Sequence, residues 1–82
     1  RRNTMRASKI DRLVKMVNQI SLNMSSNGPA DEVAMQVAEH LEKFWSPPMK
    51  SLVSDYADDN TVGLASISHK AVIQLAVMQK AK

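Results

Sequence analysis

The side chains that could do chemistry are few in this 82-residue chain, and their spacing does not predict a site. His40 and His69 are far apart, and neither has a carboxylate at the spacing of a metal-ligand pair. The segment DYADDN at 55–60 could offer carboxylates to a calcium ion. It lacks the twelve-residue pattern with a central Gly and a final Glu, so we interpret it as a solvated turn.

The residue types that other chemistries require are also missing. There is no Cys, which excludes disulfides, thiolate zinc sites and a Cys nucleophile. Gly28 and Gly63 are the only glycines, so the sequence has no glycine-rich phosphate loop. No Ser lies in a nucleophile elbow. We therefore predict that the chain is not a self-contained enzyme and holds no cofactor or metal of its own.

The net charge of +3 is unevenly distributed along the chain. Residues 1–15 contain six basic side chains and one acidic side chain, a net charge of +5, so the remainder carries −2. We interpret residues 1–8 as a flexible basic arm and residues 9–82 as a single helical domain. A small basic helical protein could bind DNA, and this is the alternative function. The acidic side chains at 31, 32, 39 and 42 oppose it, because phosphate repels an acidic helix.

Hydrophobic periodicity predicts an all-α fold, a small bundle of about four helices. The first three helices have apolar stripes at spacings of three and four, namely Ile10, Leu13, Val14, Val17, Ile20 and Met24; Ala30, Val33, Ala34, Val37, Leu41 and Phe44; and Met49, Leu52, Val53 and Tyr56. The segments SSNG (25–28) and ADDNTVG (57–63) are typical of loops. Ser8, Ser46 and Ser66 are the predicted N-caps of the first, third and fourth helices.

The sequence HLEKFWSPPM (40–49) brings the only Trp and the only Phe of the chain beside two of its three prolines. Because Pro47 disfavours helical geometry before it, we expect a rigid corner there. The last helix is apolar nearly all round, which favours cover by another chain. We therefore predict a partner-binding surface formed by His40, Phe44, Trp45, Pro47, Pro48, Met49, Ile73 and Val77. Two alternatives stay open: Trp45 could close the core, and His40 could be a satisfied histidine at a helix edge.

Two motifs resemble a known family. RLVKMVNQIS (12–21) and VAEHLEKFWSPPMKSLV (37–53) are similar to the delta subunit of the soluble, NAD-dependent, molybdenum-containing formate dehydrogenase. That family looks like R-L-V-R-M-A-N-Q-I-A followed by V-A-x-H-L-x-x-F-W-D-P-R-M. Ala71, Val72 and Leu75 approximate the x-A-V-x-x-L pattern of its last helix, so the resemblance covers residues 10 to 78. Ser46 and Pro48 depart from the family pattern, and Pro48 replaces a cation that could pair with a partner.

The resemblance implies a small, non-catalytic accessory subunit in the cytoplasm. Its expected partner is the catalytic alpha subunit, which this subunit would stabilise or help to assemble by helix docking. The resemblance places molybdopterin, iron–sulfur clusters and flavin in partner subunits and no cofactor in this chain. No membrane association is expected, and the isolated chain could form a homo-oligomer, because uncovered apolar surface favours association.

Overall fold

The predicted helices are present in the computed structural model, which describes residues 9–59 and 61–81. Helix α1 spans Lys9–Met24 and is followed by a 3₁₀ turn at Ser25–Asn27; α2 spans Ala30–Phe44, α3 spans Pro47–Asp55 and α4 spans Ser66–Lys80. The described residues contain no strand, and the all-α prediction is confirmed. The arm at 1–8 and the Ser8 cap lie outside the described residues.

The apolar stripes of the four helices meet in one core. Helix α4 packs most extensively against α2 and also contacts α1 and α3. The core is largely aliphatic, and its fully buried side chains include Val17, Val33, Val37, Leu41, Val53, Val72 and Leu75. A domain of this size buries only about 60% of the surface that its unfolded chain exposes. Each of these side chains therefore carries a large share of the stability.

The end of α2 differs from its predicted periodicity. Phe44 was expected on the buried stripe and Trp45 at its edge, but Phe44 is 71% exposed and Trp45 is 7% exposed. The helix ends at Phe44 and Trp45 has extended backbone, with φ −88° and ψ 144°, so helical spacing does not place the Trp45 ring. A spacing of 3.6 residues per turn no longer applies there. Ala30, expected on the same stripe, is exposed in the first turn.

The predicted cap at Ser66 is wrong by one residue. The N-cap position of α4 is Ala65, whose carbonyl oxygen accepts the His69 N–H at 2.7 Å. An Ala side chain offers no oxygen to the first turn, and α4 has no side-chain capping hydrogen bond at this position. At α3, Ser46 does occupy the N-cap position and Pro47 and Pro48 follow it, but the Ser46 side chain makes no capping hydrogen bond.

Polar contacts tie α4 to α1. The Asn18 side-chain amide donates to the Gly63 carbonyl oxygen at 3.0 Å, and its oxygen accepts the Ala65 N–H at 2.9 Å. Further along, the hydroxyls of Ser21 and Ser68 lie 2.8 Å apart inside the core. Buried hydroxyls need such partners, because an unpaired one costs about 1–3 kcal/mol. These contacts set where α4 begins and which of its faces is turned inward.

Candidate partner-docking surface

The corner between α2 and α3 is held rigid by hydrogen bonds on both sides. The Trp45 N–H donates to the Leu41 carbonyl at 3.0 Å, and the Lys50 N–H donates to the Ser46 carbonyl at 3.0 Å. The Lys50 ammonium also crosses the corner to Glu42, with 3.0 Å to its carboxylate and 3.1 Å to its backbone carbonyl. The side chains of this ion pair are only 13% and 18% exposed. Two prolines further restrict the chain, so the corner is preorganised.

Two predicted site residues form one exposed aromatic pair at this corner. The rings of His40 and Phe44 lie one helical turn apart on α2, with centroids at 4.8 Å and planes tilted by 45°. His40 is half-buried, whereas Phe44 is the most exposed of the large apolar side chains in the described ranges. Aromatic pairs at this distance attract one another, so the Phe44 ring has one aromatic neighbour although most of its surface is exposed.

Trp45 supports the corner from beneath. It belongs to the same core cluster as Leu41 and Val53, with little of its ring at the surface. Trp45 therefore packs in the core, which is one of the two alternatives that the sequence left open for this residue. Pro47 and Pro48 are exposed, and Met49 is half-buried next to them. The predicted corner residues thus divide into one ring that packs inward and several side chains that remain accessible.

A second exposed patch lies on α4. Ile73 is 36% exposed and Val77 is 56% exposed, one turn apart on the same side of the helix. Both line a shallow depression with Ala57, Asp58 and Lys80, among others. Nearer the start of α4, the Lys70 ammonium donates to the Asp31 carboxylate at 2.8 Å. This hydrogen bond and the adjacent positive charge lower the pKa of Asp31 below its usual 3.8.

A groove between α1 and α3 was missed at the level of sequence. Its volume is about 460 Å³, and it is lined by Lys9, Arg12, Leu13, Met16, Ser46, Pro48, Met49 and Leu52. Two predicted site residues, Pro48 and Met49, form part of one wall. The one feature of the sequence that could have indicated the groove is Met16, which follows Lys9 and Arg12 at helical spacing. In the structure Met16 is 43% exposed. Sequence alone does not indicate that this edge of α1 lies beside α3.

Groups with reactive chemistry do not come together in the described part of the chain. Among these residues, no three His, Asp or Glu side chains are placed to hold a metal ion. After the end of α3, the Thr61 hydroxyl and N–H donate to the Asp59 carboxylate and lower its pKa. The buried His69 Nε2 has no hydrogen-bond partner within the described ranges.

No helix in the described ranges combines the length and the hydrophobicity that a membrane crossing requires.

The comparison with known proteins identifies one family. The sequence model described as the NADH-dependent formate dehydrogenase delta subunit FdsD matches residues 12–72 of the 82-residue chain. The match runs from the first turn of α1 through α2 and α3 into α4. No curated protein and no solved structure matches the chain. The resemblance expected from the motifs at 12–21 and 37–53 is confirmed, since both lie inside the matched range.

Proposed function

The chain belongs to the delta-subunit family of the NADH-dependent formate dehydrogenases, and from this premise we propose that it is a non-catalytic accessory subunit. It docks onto the molybdenum-containing alpha subunit and stabilises that subunit or helps to assemble it. The molybdopterin, the iron–sulfur clusters and the flavin belong to partner subunits. The complex works in the cytoplasm.

The family match carries this proposal, and the exposed apolar side chains support it. Phe44, Ile73 and Val77 are large apolar residues at the surface of a small domain. Single exposed hydrophobic residues are common on soluble proteins, but clusters with rigid support are typical of binding sites. Here Phe44 stands on a braced corner, and Ile73 and Val77 are adjacent on one helix.

Docking at the corner is favoured because the corner loses little conformational entropy when it binds a partner. The proline pair and the Lys50–Glu42 contact already fix the backbone and side chains of the corner. A preordered surface loses less conformational entropy on association, so more of its contact free energy appears as affinity. Burying the exposed part of Phe44 stabilises a complex by about 1–2 kcal/mol, from roughly 1.5–3 kcal/mol for a complete Phe side chain.

Co-purification tests the proposal directly. The tagged chain is co-expressed with the alpha subunit of an NAD-dependent formate dehydrogenase from the same source, and we expect the two to elute together. Phe44→Ala is expected to weaken the affinity for the alpha subunit by about five- to thirtyfold, which corresponds to roughly 1–2 kcal/mol of binding, and so to lower the amount of alpha subunit recovered.

The matched control for Phe44 is Leu22→Ala. Leu22 is similarly exposed, at 67%, and lies on α1 outside the predicted surface. We expect Leu22→Ala to bind like the wild type. Absence of co-purification by the wild-type chain, with the alpha subunit alone or with the whole enzyme, would contradict the proposed function. Equal binding by all three proteins would remove Phe44 from the docking surface.

A further inference from the structure

We propose that the groove between α1 and α3 binds an acidic amphipathic helix of a formate dehydrogenase subunit, with an apolar side chain in the groove and a carboxylate at its rim. This inference rests on the proposed function and adds the recognition chemistry. Helix-in-groove binding is a common mode of peptide recognition, in which apolar anchors enter a hydrophobic channel. The volume of about 460 Å³ is within the usual range of about 300–1,000 Å³ for binding pockets.

The floor and the walls of the groove are apolar. Leu13 is buried at the base, and Met49 and Leu52 are half-buried on the α3 side. On the α1 side, Met16 is 43% exposed at the edge of the groove. Met side chains adapt to the shape of an apolar partner, because they are unbranched and have three rotatable bonds. The groove can therefore take an aliphatic or aromatic anchor without rearrangement of the backbone.

The rim of the groove is positively charged. Lys9 and Arg12 are exposed on α1, and of the described residues that line the groove none is acidic. Across residues 9–59 and 61–81, neither Lys9 nor Arg12 forms an ion pair. The Arg guanidinium matches the geometry of a carboxylate and can bind both of its oxygens. The opposite rim adds the Ser46 hydroxyl, which makes no capping bond in α3 and is available to donate.

Charge opposes one other occupant of the groove, and symmetry opposes a second. Residues 1–8 of the same chain contain Arg1, Arg2 and Arg6 and no acid, so the rim repels them. A second copy could offer the α4 patch, where Asp58 lies beside Ile73 and Val77. That contact joins two different surfaces, and such head-to-tail contacts form rings or open chains and no closed dimer. An acidic helix of a partner subunit matches both the charge and the apolar floor.

Charge reversal at the rim tests the inference. The variant Arg12→Glu is compared with Lys15→Glu, which makes the same change in net charge at an exposed position of α1 that does not line the groove. Affinity for the partner complex is measured by surface plasmon resonance at low and physiological salt. We expect the groove variant to bind at least about tenfold more weakly and with a smaller salt dependence, and the control to stay within about threefold. Circular dichroism verifies that both variants are folded.

The outcomes separate the two proposals. If the wild-type chain binds no formate dehydrogenase subunit, the proposed function fails. If the wild type binds and the groove variant matches the control, the function stands and the groove inference is overturned.

Photo-crosslinking supplies a measurement that does not depend on charge variants. A benzophenone amino acid at Met16, with the same probe at Leu22 as the control, is irradiated in the assembled complex. We expect the Met16 probe to capture a partner peptide with an Asp or Glu within one helical turn of a large apolar residue. Capture of residues 1–8, of a second copy of the chain, or of a partner segment without an acid would overturn the inference.

Discussion

Truncation of Trp45 is expected to remove much of the stability of the domain. Its side chain is 7% exposed and belongs to the same core cluster as Leu41 and Val53. Replacing such a Trp with Ala costs about 3–5 kcal/mol, because its contacts are lost and a cavity remains. The free energy of unfolding of a chain of this length is about 4–12 kcal/mol, from roughly 0.05–0.15 kcal/mol per residue. Trp45→Ala therefore removes a large fraction of the total.

The neighbouring ring provides the matched control. Phe44 is 71% exposed, so we expect Phe44→Ala to change the free energy of unfolding by at most about 0.5 kcal/mol. Thermal unfolding is followed by far-ultraviolet circular dichroism, together with urea titration at 25 °C. A loss of about 3 kcal/mol lowers the Tm by roughly 12–24 °C in a domain of this size. We expect this decrease for Trp45→Ala and almost none for Phe44→Ala.

The comparison also separates folding from binding. Phe44→Ala should keep the wild-type Tm and bind the alpha subunit more weakly, whereas Trp45→Ala should lower the Tm. Trp45→Phe retains a ring in the core and should recover much of the lost stability. The reasoning is refuted if Trp45→Ala unfolds within about 1 kcal/mol of the wild type, or if Phe44→Ala destabilises the domain as much as Trp45→Ala does.

Three further predictions concern the polar contacts. Asn18→Ala should lower the free energy of unfolding by about 1–2 kcal/mol, because it removes two hydrogen bonds to the loop before α4, and amide hydrogen exchange should rise in that loop; unchanged exchange would contradict this role. Ser68→Ala should cost about 1–3 kcal/mol by leaving the buried Ser21 hydroxyl without this partner, whereas Ser21→Ala should cost less, because the Ser68 hydroxyl can still donate to the Val17 carbonyl at 3.4 Å. The double variant should cost less than the sum of the two in urea titrations; strict additivity would show that the hydroxyls are not coupled. The pKa of Asp31 is lowered by Lys70, so the stabilisation from this pair should be present above about pH 4 and be lost as the pH falls further. An NMR titration of the Asp31 carboxyl in the wild type and in Lys70→Met measures this shift, which should disappear in the variant.

Much of the helical architecture could be predicted because it depends on short-range spacing. The α1 residues Leu13, Val14 and Val17 recur with the helical period, and all are buried as expected. The prediction was less accurate where the helical period ends. Phe44 and Trp45 exchange their expected environments there, because the backbone becomes extended at Trp45. At α4, Ser66 has the residue type of an N-cap, but the helix begins after Ala65.

The candidate surface was predictable only in part. The aromatic residues and the positions of the prolines indicated the corner, where Phe44 is exposed. On α4, the predicted residues Ile73 and Val77 are also exposed. The groove could not be inferred, because it exists only where one edge of α1 faces α3. Asn18 shows the same limitation: its spacing places it on the polar side of α1, while its amide contacts the loop before α4.

The helical class, the apolar stripes, the lack of Cys chemistry and the family all follow from the sequence alone, because they depend on residue types and on intervals of a few residues. The tertiary structure decided which aromatic ring is buried, which hydroxyls meet in the core and where a basic apolar groove opens. These features join residues that are distant in sequence, such as Ser21 with Ser68 and Arg12 with Leu52. Such contacts arise only when the helices pack together, since burial depends on the neighbours that each face acquires.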